Sequence, residues 1–392
     1  MRIAILRGES LNPWEMQNFE PLAARLDLTA CASESCRYPV DALKIPVKQF
    51  PLRSASFDRW GRVARLAARL HLVRRPSAEL VGLEEFLKPF DIAHSAETHL
   101  PITWQAARAK RQSKLKLVLT CWETIPHAYE DDPAVRAGRD FARREVDLFL
   151  PTSQRAARAL ELEGVDPARV QVLMPGVDLT RFTPGSRPAN LPAEHGIGED
   201  DIVTLFVGRL ILEKGVRELI VAFASVLRSL PSQLSSRCIL LIAGEGPLNA
   251  FITALAAHHG IEGRVRIIGG MEYGRLHELH RLADLFVLPS VPSPSWEEQF
   301  GMVLIEAMAC GKPVISTISG AIPEVVGDVG ILVPAMDAAA LADAMGRLLS
   351  DADLRRDLGR RARARAEACF DASEFARRLE AIYLKLIEGA PQ

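Results

Sequence analysis

The run Gly208-Arg209-Leu210-Ile211-Leu212-Glu213-Lys214-Gly215 sets two cations between an apolar stretch and a helical pattern. Helix N-termini carry unpaired N–H groups and a partial positive charge, so anions settle there. Arginine grips phosphate through two parallel bonds, and lysine acts as a point charge. Arg209 and Lys214 are therefore candidates for a diphosphate clamp; the plainer reading is two surface bases on a solvated loop. A second pair is acidic. Glu298 sits in a loop, Glu306 falls on the short helix that follows, Gly311 closes that helix and Pro313 prevents its continuation. Two carboxylates at different depths suit two hydroxyl-bearing parts of one ligand. A lone helical Glu usually faces solvent, but Val303, Leu304, Ile305, Ala307 and Met308 make this helix apolar nearly all round. A carboxylate buried there needs a partner or a ligand.

The elements that must position these groups alternate along the whole chain. Short strand-like runs at 2–6, 91–94, 115–119, 147–150 and 170–173 form one set. Runs at 203–207, 239–243, 265–268, 285–288, 314–317 and 331–333 form another. Strands separated by helix-length segments imply right-handed crossovers and parallel sheets covered on both faces. Residues 183–201, rich in Pro, Gly and charge, read as an interdomain linker. The expected division is 1–185, 186–373 and a closing helix at 374–392. Asn12-Pro13-Trp14-Glu15 predicts an N-cap, an N1 proline and a glutamate that reaches back. Parallel sheets bind ligands beyond the carboxyl ends of their strands, so the glycine and polar positions after each strand line one cleft if the two domains face each other.

Composition excludes several classes. With 392 residues, two domains are the default; 48% hydrophobic and 25% charged residues are ordinary for globular chains. Lys plus Arg (48) nearly cancels Asp plus Glu (49), which argues against a dedicated nucleic-acid binder. No apolar run approaches the ~18–20 residues of a membrane span, and the first apolar run is too short for a signal peptide. Six scattered cysteines without a C-x-x-C pair fit a reducing compartment, so the cytoplasm is the expected location. Residues 44–75 carry nine Lys or Arg against one acid. Within them Trp60, Val63, Ala67 and Leu70 form an apolar stripe opposite Arg59, Arg62, Arg65 and Arg69. Such a helix either lies on an anionic membrane, peripherally, or packs its stripe on a sheet with a solvated basic face.

Taken in order, the motifs resemble the family-4 retaining glycosyltransferases of GT-B fold. The resemblance runs through G-R-L-x-x-x-K-G at 208–215, L-I-A-G-E-G-P at 241–247 and A-D-L-F-V-L-P-S at 283–290. It continues through the E-x7-E element at Glu298 and Glu306, G-A-I-P-E-V-V at 320–326 and G-I-L-V at 330–333. What it implies is an α/β chain of two Rossmann-like domains with parallel sheets facing across a cleft, and a C-terminal helix crossing back to the N-domain. The N-domain would bind the acceptor and the C-domain a nucleotide-sugar.

By the same resemblance, Arg209 and Lys214 hold the diphosphate, Glu306 the ribose and Glu298 the donor-sugar hydroxyls. Gly269 and Met271 lie near the base, and Gly244, Phe300 and Gly301 complete the donor site. Arg209, Lys214 and Glu298 carry the catalysis, with no cofactor and no metal. Asp351-Ala-Asp353 reads as acid at a helix start, and His277 with His280 lacks an evident third ligand. The N-terminal half departs from the pattern. In Asp91-Ile92-Ala93-His94-Ser95-Ala96-Glu97 the second family histidine is Ala96, and Trp122 stands where a later histidine is frequent. His99 or His127 could supply an imidazole; surface-loop histidines are the plainer reading. Gly8, Glu9, Glu97 and Glu123 remain for the acceptor side. The expected activity is metal-independent, retaining transfer of a sugar from a nucleotide-diphosphate sugar to a sugar, lipid or other small acceptor. The alternative is a catalytically silent homologue that binds sugar nucleotides and regulates or scaffolds. Base, donor sugar, acceptor and oligomeric state are not legible.

Overall fold

The computed structural model describes residues 1–52 and 79–389. Most of the basic helix expected within 44–75 lies outside the described residues. Two six-stranded sheets carry the fold. The first is built from β1 (Arg2–Gly8), β2 (Asp27–Ser33), β3 (Val47–Phe50), β4 (Ile92–Ala96), β5 (Lys116–Cys121) and β6 (Leu148–Pro151), in the order β3-β2-β1-β4-β5-β6. The second is built from β7 (Ile202–Val207), β8 (Cys238–Ala243), β9 (Val265–Ile267), β10 (Leu285–Leu288), β11 (Val314–Thr317) and β12 (Ile331–Val333), in the order β12-β11-β10-β7-β8-β9. Every paired neighbour is parallel. Both orders are that of the doubly wound dinucleotide-binding fold, so the Rossmann-like expectation holds in each half. Strands β7, β8 and β10 are buried throughout, which is why they read as unbroken apolar runs and not as alternating ones.

The chain divides into two compact units. One comprises Met1–Thr152, Leu160–Leu173 and Ala376–Gln392; the other comprises Ser153–Ala159 and Met174–Phe375. The segment expected as a linker at 183–201 thus lies inside the second unit. Its prolines serve loops and a short helix at Leu191–Glu194. The last helix, Ala372–Glu388, starts in the second unit, and the chain rejoins the first unit at Ala376.

Three local expectations need correction. Residues 170–173 form no strand; Val170 makes a single bridge to Phe149. Strands β2 and β3 were not expected, because Asp27-Leu-Thr-Ala-Cys-Ala-Ser and Val47-Lys-Gln-Phe are polar-interrupted; β2 takes its conformation from pairing with β1, and β3 from pairing with β2. At the first helix, Asn12 does cap, accepting the Glu15 N–H at 2.8 Å, but Glu15 does not reach back. Its carboxylate instead takes the buried Arg7 guanidinium at 2.7 Å. Asp351 caps its helix as expected, accepting from the Leu354 N–H at 2.9 Å.

Candidate functional site

In a doubly wound sheet, consecutive connections leave in opposite directions at one point, and a crevice opens there beyond the strand ends. In the second unit that point lies between β7 and β10, which pair side by side. The loop after β7 carries Arg209 and Lys214; the loop after β10 carries Glu298. Backbone bonds tie the neighbouring loops together. The Leu210 N–H donates to Glu245 O at 2.8 Å, Gly244 to Gly269 O at 2.7 Å, and Val291 to Glu213 O at 2.8 Å. Two glycines permit the approach. A Cβ on Gly215 (φ +66°) would lie 1.8 Å from Pro289 O, and one on Gly244 would lie 1.8 Å from Gly208 O. No other residue type fits either place.

Lys214 and Glu298 meet directly. The Lys214 ammonium donates to Glu298 Oε2 at 2.6 Å, and the Ser290 hydroxyl donates to the same oxygen at 2.6 Å. Lys214 also lies 5.1 Å from the centre of the Trp296 ring, a cation–π contact. Both donors use Oε2, and Glu298 Oε1 has no hydrogen-bond partner among the described residues. Arg209 is exposed, and its guanidinium is unpaired among the described residues. One cation is therefore pre-placed by a buried acid, and the other projects to solvent.

Glu306 lies on the helix Met302–Ala309, which begins at Gly301 in a left-handed conformation (φ +86°). It is only 1% exposed, so the solvent-facing alternative is excluded. The Tyr273 hydroxyl donates to its Oε1 at 3.1 Å. Its Oε2 is buried without a hydrogen bond, 3.7 Å from His280 Nε2, and both nitrogens of the buried His280 ring are likewise unpartnered. Leaving such groups unpaired costs about 1–3 kcal/mol each, and more for a charged one. Among the described residues no three His, Cys, Asp or Glu side chains gather where a metal could sit. Met271 is half-buried, and the Gly270 N–H, next to Gly269, donates to Glu245 Oε1 at 3.4 Å. The Phe300 ring is a buried core group, set edge-on to Phe370 with ring centres 6.0 Å apart.

The acceptor-side candidates belong to the first unit, and the three glutamates among them already accept hydrogen bonds. Gly8 closes β1 with φ +57°. Glu9 accepts the Ser35 hydroxyl at 3.3 Å. Glu97, in a left-handed conformation at φ +59°, accepts the N–H groups of Trp122 (2.6 Å) and Glu123 (3.1 Å). Glu123 in turn accepts those of Thr124 and Ile125 at 3.0 and 2.9 Å. The two carboxylates therefore shape the loop after β5. Burial pushes the Glu97 carboxyl up to about 7, against the pull of the two N–H groups. His127 and Tyr129 also hold positive φ, so the strain gathers in these two loops.

Sequence reasoning missed one buried network. Arg7 donates to Glu15, to Leu6 O at 3.0 Å and to His94 O at 3.1 Å. His94, fully buried, shares hydrogen bonds with Tyr383 of the last helix and with Thr120 Oγ1 at 2.7 Å. The signal was an arginine inside an otherwise apolar first strand. His99, of which Nδ1 is buried and unpartnered, stacks on Tyr129 with ring centres 4.4 Å apart. Burial, assisted by the Arg139 guanidinium, holds its ring down at about 4. Unfolding returns that ring to its ordinary 6.5, so the unfolded chain takes up a proton the folded chain refuses. Stability from this ring is full above about 6.5 and is lost as the pH falls to about 4. His99→Gln, which cannot titrate, should flatten the acid limb of urea unfolding over that window, by on the order of 3 kcal/mol. An acid limb identical to wild type would show that His99 does not contribute.

Residues 189–365 match the family described as glycosyl transferases group 1, and residues 18–176 match the glycosyl transferase 4-like domain. A D-inositol 3-phosphate glycosyltransferase of Nocardia farcinica is 37% identical over 250 residues, covering 60% of this chain and 53% of that protein. D-inositol 3-phosphate glycosyltransferase 2 of Catenulispora acidiphila is 33% identical, covering 67% of this chain and 62% of that protein. The chain spans about half the length of the first of these relatives. Among solved structures, Anabaena HepE in complex with UDP and glucose superposes with a TM-score of 0.74 at 20% identity, covering 97% of this chain and 99% of that one. Sucrose-phosphate synthase from Thermosynechococcus elongatus gives 0.71 at 22% identity, with full coverage of both. These two likenesses establish the fold.

Proposed function

With residues 189–365 belonging to the group 1 glycosyl transferases and residues 18–176 forming a glycosyl transferase 4-like domain, we propose that the chain is an active, retaining glycosyltransferase using a nucleotide-diphosphate sugar. The observation that carries this reading is the Lys214–Glu298 pair joined at 2.6 Å where the second sheet changes winding direction, with the unpaired Arg209 on the same loop. A silent binding homologue has no need to keep a carboxylate oxygen open beside a placed cation.

In this reading the diphosphate meets Arg209 and Lys214, the donor sugar meets Glu298, and the ribose meets Glu306. The acceptor oxygen attacks on the face from which the diphosphate leaves. Its proton passes to the departing phosphate oxygen as the old carbon–oxygen bond breaks and the new one forms. Fixed positive charge at the leaving group supplies the electrostatic stabilisation that usually dominates such a step. It also takes the part a metal would play, so the reaction is metal-independent. The named inositol-phosphate relatives support a phosphorylated polyol or sugar as acceptor, and HepE supports a UDP-sugar donor. We place the protein in the cytoplasm, peripheral to anionic membrane through residues 44–75. No helix among the described residues is long and apolar enough to cross a membrane.

A thermal-shift panel of UDP-, GDP- and ADP-sugars picks the donor, since a ligand that binds the native state alone raises its apparent stability. Product formation with inositol 3-phosphate, simple sugars and lipid acceptors is then followed with and without EDTA. Anomer-retaining transfer, unchanged by EDTA, is expected. Tight donor binding with neither transfer nor donor hydrolysis would favour the silent homologue.

A further inference from the structure

Glu306 is assigned above to the ribose, yet the structure gives a ribose no way to reach it. The carboxylate is 1% exposed, and its Oε1 is already taken by the Tyr273 hydroxyl at 3.1 Å. The other oxygen, Oε2, is buried and has no hydrogen bond. His280 Nε2 lies 3.7 Å from it, beyond hydrogen-bond range, and that nitrogen is itself unpartnered. The carboxylate therefore holds one satisfied and one unsatisfied acceptor, sealed beneath a tyrosine. Tyr273 stands in the single 3₁₀ turn Tyr273–Arg275 that follows β9, on the same connection as Gly269 and Met271. Its ring rests 5.8 Å from Phe182, and the Arg181 guanidinium lies 5.8 Å from the ring centre. It is half-buried on a short loop element, and its hydroxyl bonds the acid.

We propose that Tyr273 is a displaceable plug on Glu306, occupying the place of a ribose hydroxyl and leaving when a nucleoside diphosphate binds. This rests on the ribose assignment of Glu306. A ribose offers two adjacent hydroxyls, one for each carboxylate oxygen. It replaces the bond lost from Tyr273 and also satisfies the orphaned Oε2. A ligand with phosphates but no ribose gains nothing at Glu306 and leaves the tyrosine in place. The plug thus taxes every ribose-bearing ligand by the free energy of the bond it must break, and it shields a buried acid while the site is empty.

The test is calorimetry with wild type, Tyr273→Phe and Glu306→Gln, using whichever of UDP, GDP and ADP binds wild type most tightly, and inorganic pyrophosphate as the ribose-free control. Phenylalanine keeps the ring packing and removes only the competing hydroxyl. Tyr273→Phe should bind the nucleoside diphosphate roughly three- to tenfold more tightly, with pyrophosphate affinity unchanged. In wild type, hydrogen exchange of the amides at 271–276 should speed up when the nucleotide is added. Unchanged or weaker nucleotide binding by Tyr273→Phe overturns the plug, and so does an equal gain for pyrophosphate. The underlying assignment is read separately. If Glu306→Gln weakens nucleotide binding while Tyr273→Phe has no effect, only the plug fails. If Glu306→Gln binds like wild type, the ribose assignment fails and the plug with it.

Discussion

Lys214→Ala should lose nucleoside-diphosphate affinity by one to two decades and also destabilise the second unit, whereas Arg209→Ala should lose the affinity alone. A charge-assisted bond to phosphate is worth about 1.5–3 kcal/mol, which is roughly ten- to a hundredfold in binding. Both side chains share that expectation, and their surroundings separate them. Arg209 is exposed and unpaired among the described residues, so alanine there removes no side-chain hydrogen bond or ion pair among them. Lys214 is 15% exposed and neutralises Glu298, which is 9% exposed. Removing one partner of a buried pair strands the other charge, at about 3–5 kcal/mol. The lower end applies here, because the Ser290 hydroxyl still donates to Glu298 and some water reaches the lysine. Denaturant unfolding of the two variants without ligand, followed by calorimetry with UDP and GDP, separates the two costs. If both variants keep wild-type affinity, the diphosphate clamp is wrong. If Lys214→Ala is as stable as wild type, the pair is not a structural strut.

The largest effect on turnover should come from Glu298→Gln, and Glu306→Gln should act mainly on donor affinity. Glu298 is assigned to the donor sugar, whose placement against the acceptor sets the reaction geometry. Misplacement of an ångström there is worth on the order of a hundredfold in rate. The amide also lacks the charge that fixes Lys214, so the cation beside the leaving group is loosened by the same change. A kcat lower by roughly two decades with a modest change in KM is expected. The ribose is remote from the breaking bond and is held alike in ground and transition states, so losing its partner raises KM more than it lowers kcat. Steady-state kinetics with the donor varied reads both. Reversed phenotypes would exchange the two roles. Wild-type behaviour of both variants would make the element structural.

Much of this was legible in the linear chain, because the central strands of the second sheet are buried on both faces. Burial demands unbroken apolar strands, and residues 203–207, 239–243 and 285–288 announce themselves by that alone. The loop cations and the two glutamates were equally visible, since charge in an apolar surrounding is costly and stands out. The first sheet was harder to read. Strand β2 carries Asp, Thr and Ser and takes its conformation from pairing with β1, a contact between residues far apart in sequence.

What the sequence determined by itself was the inventory: parallel sheets, a cation loop, an acidic pair, and the order in which they follow one another. Partnership came from the packed fold. Strand order puts β10 beside β7, and that adjacency brings Glu298 to Lys214 across a sequence separation of 84. The same folding seals Glu306 beneath Tyr273, and it spends Glu97 and Glu123 on backbone N–H groups. No periodicity encodes such pairs. Local propensity acts over a turn or two of chain, whereas hydrogen bonds between strand ends depend on which strands become neighbours, and packing of the whole sheet settles that.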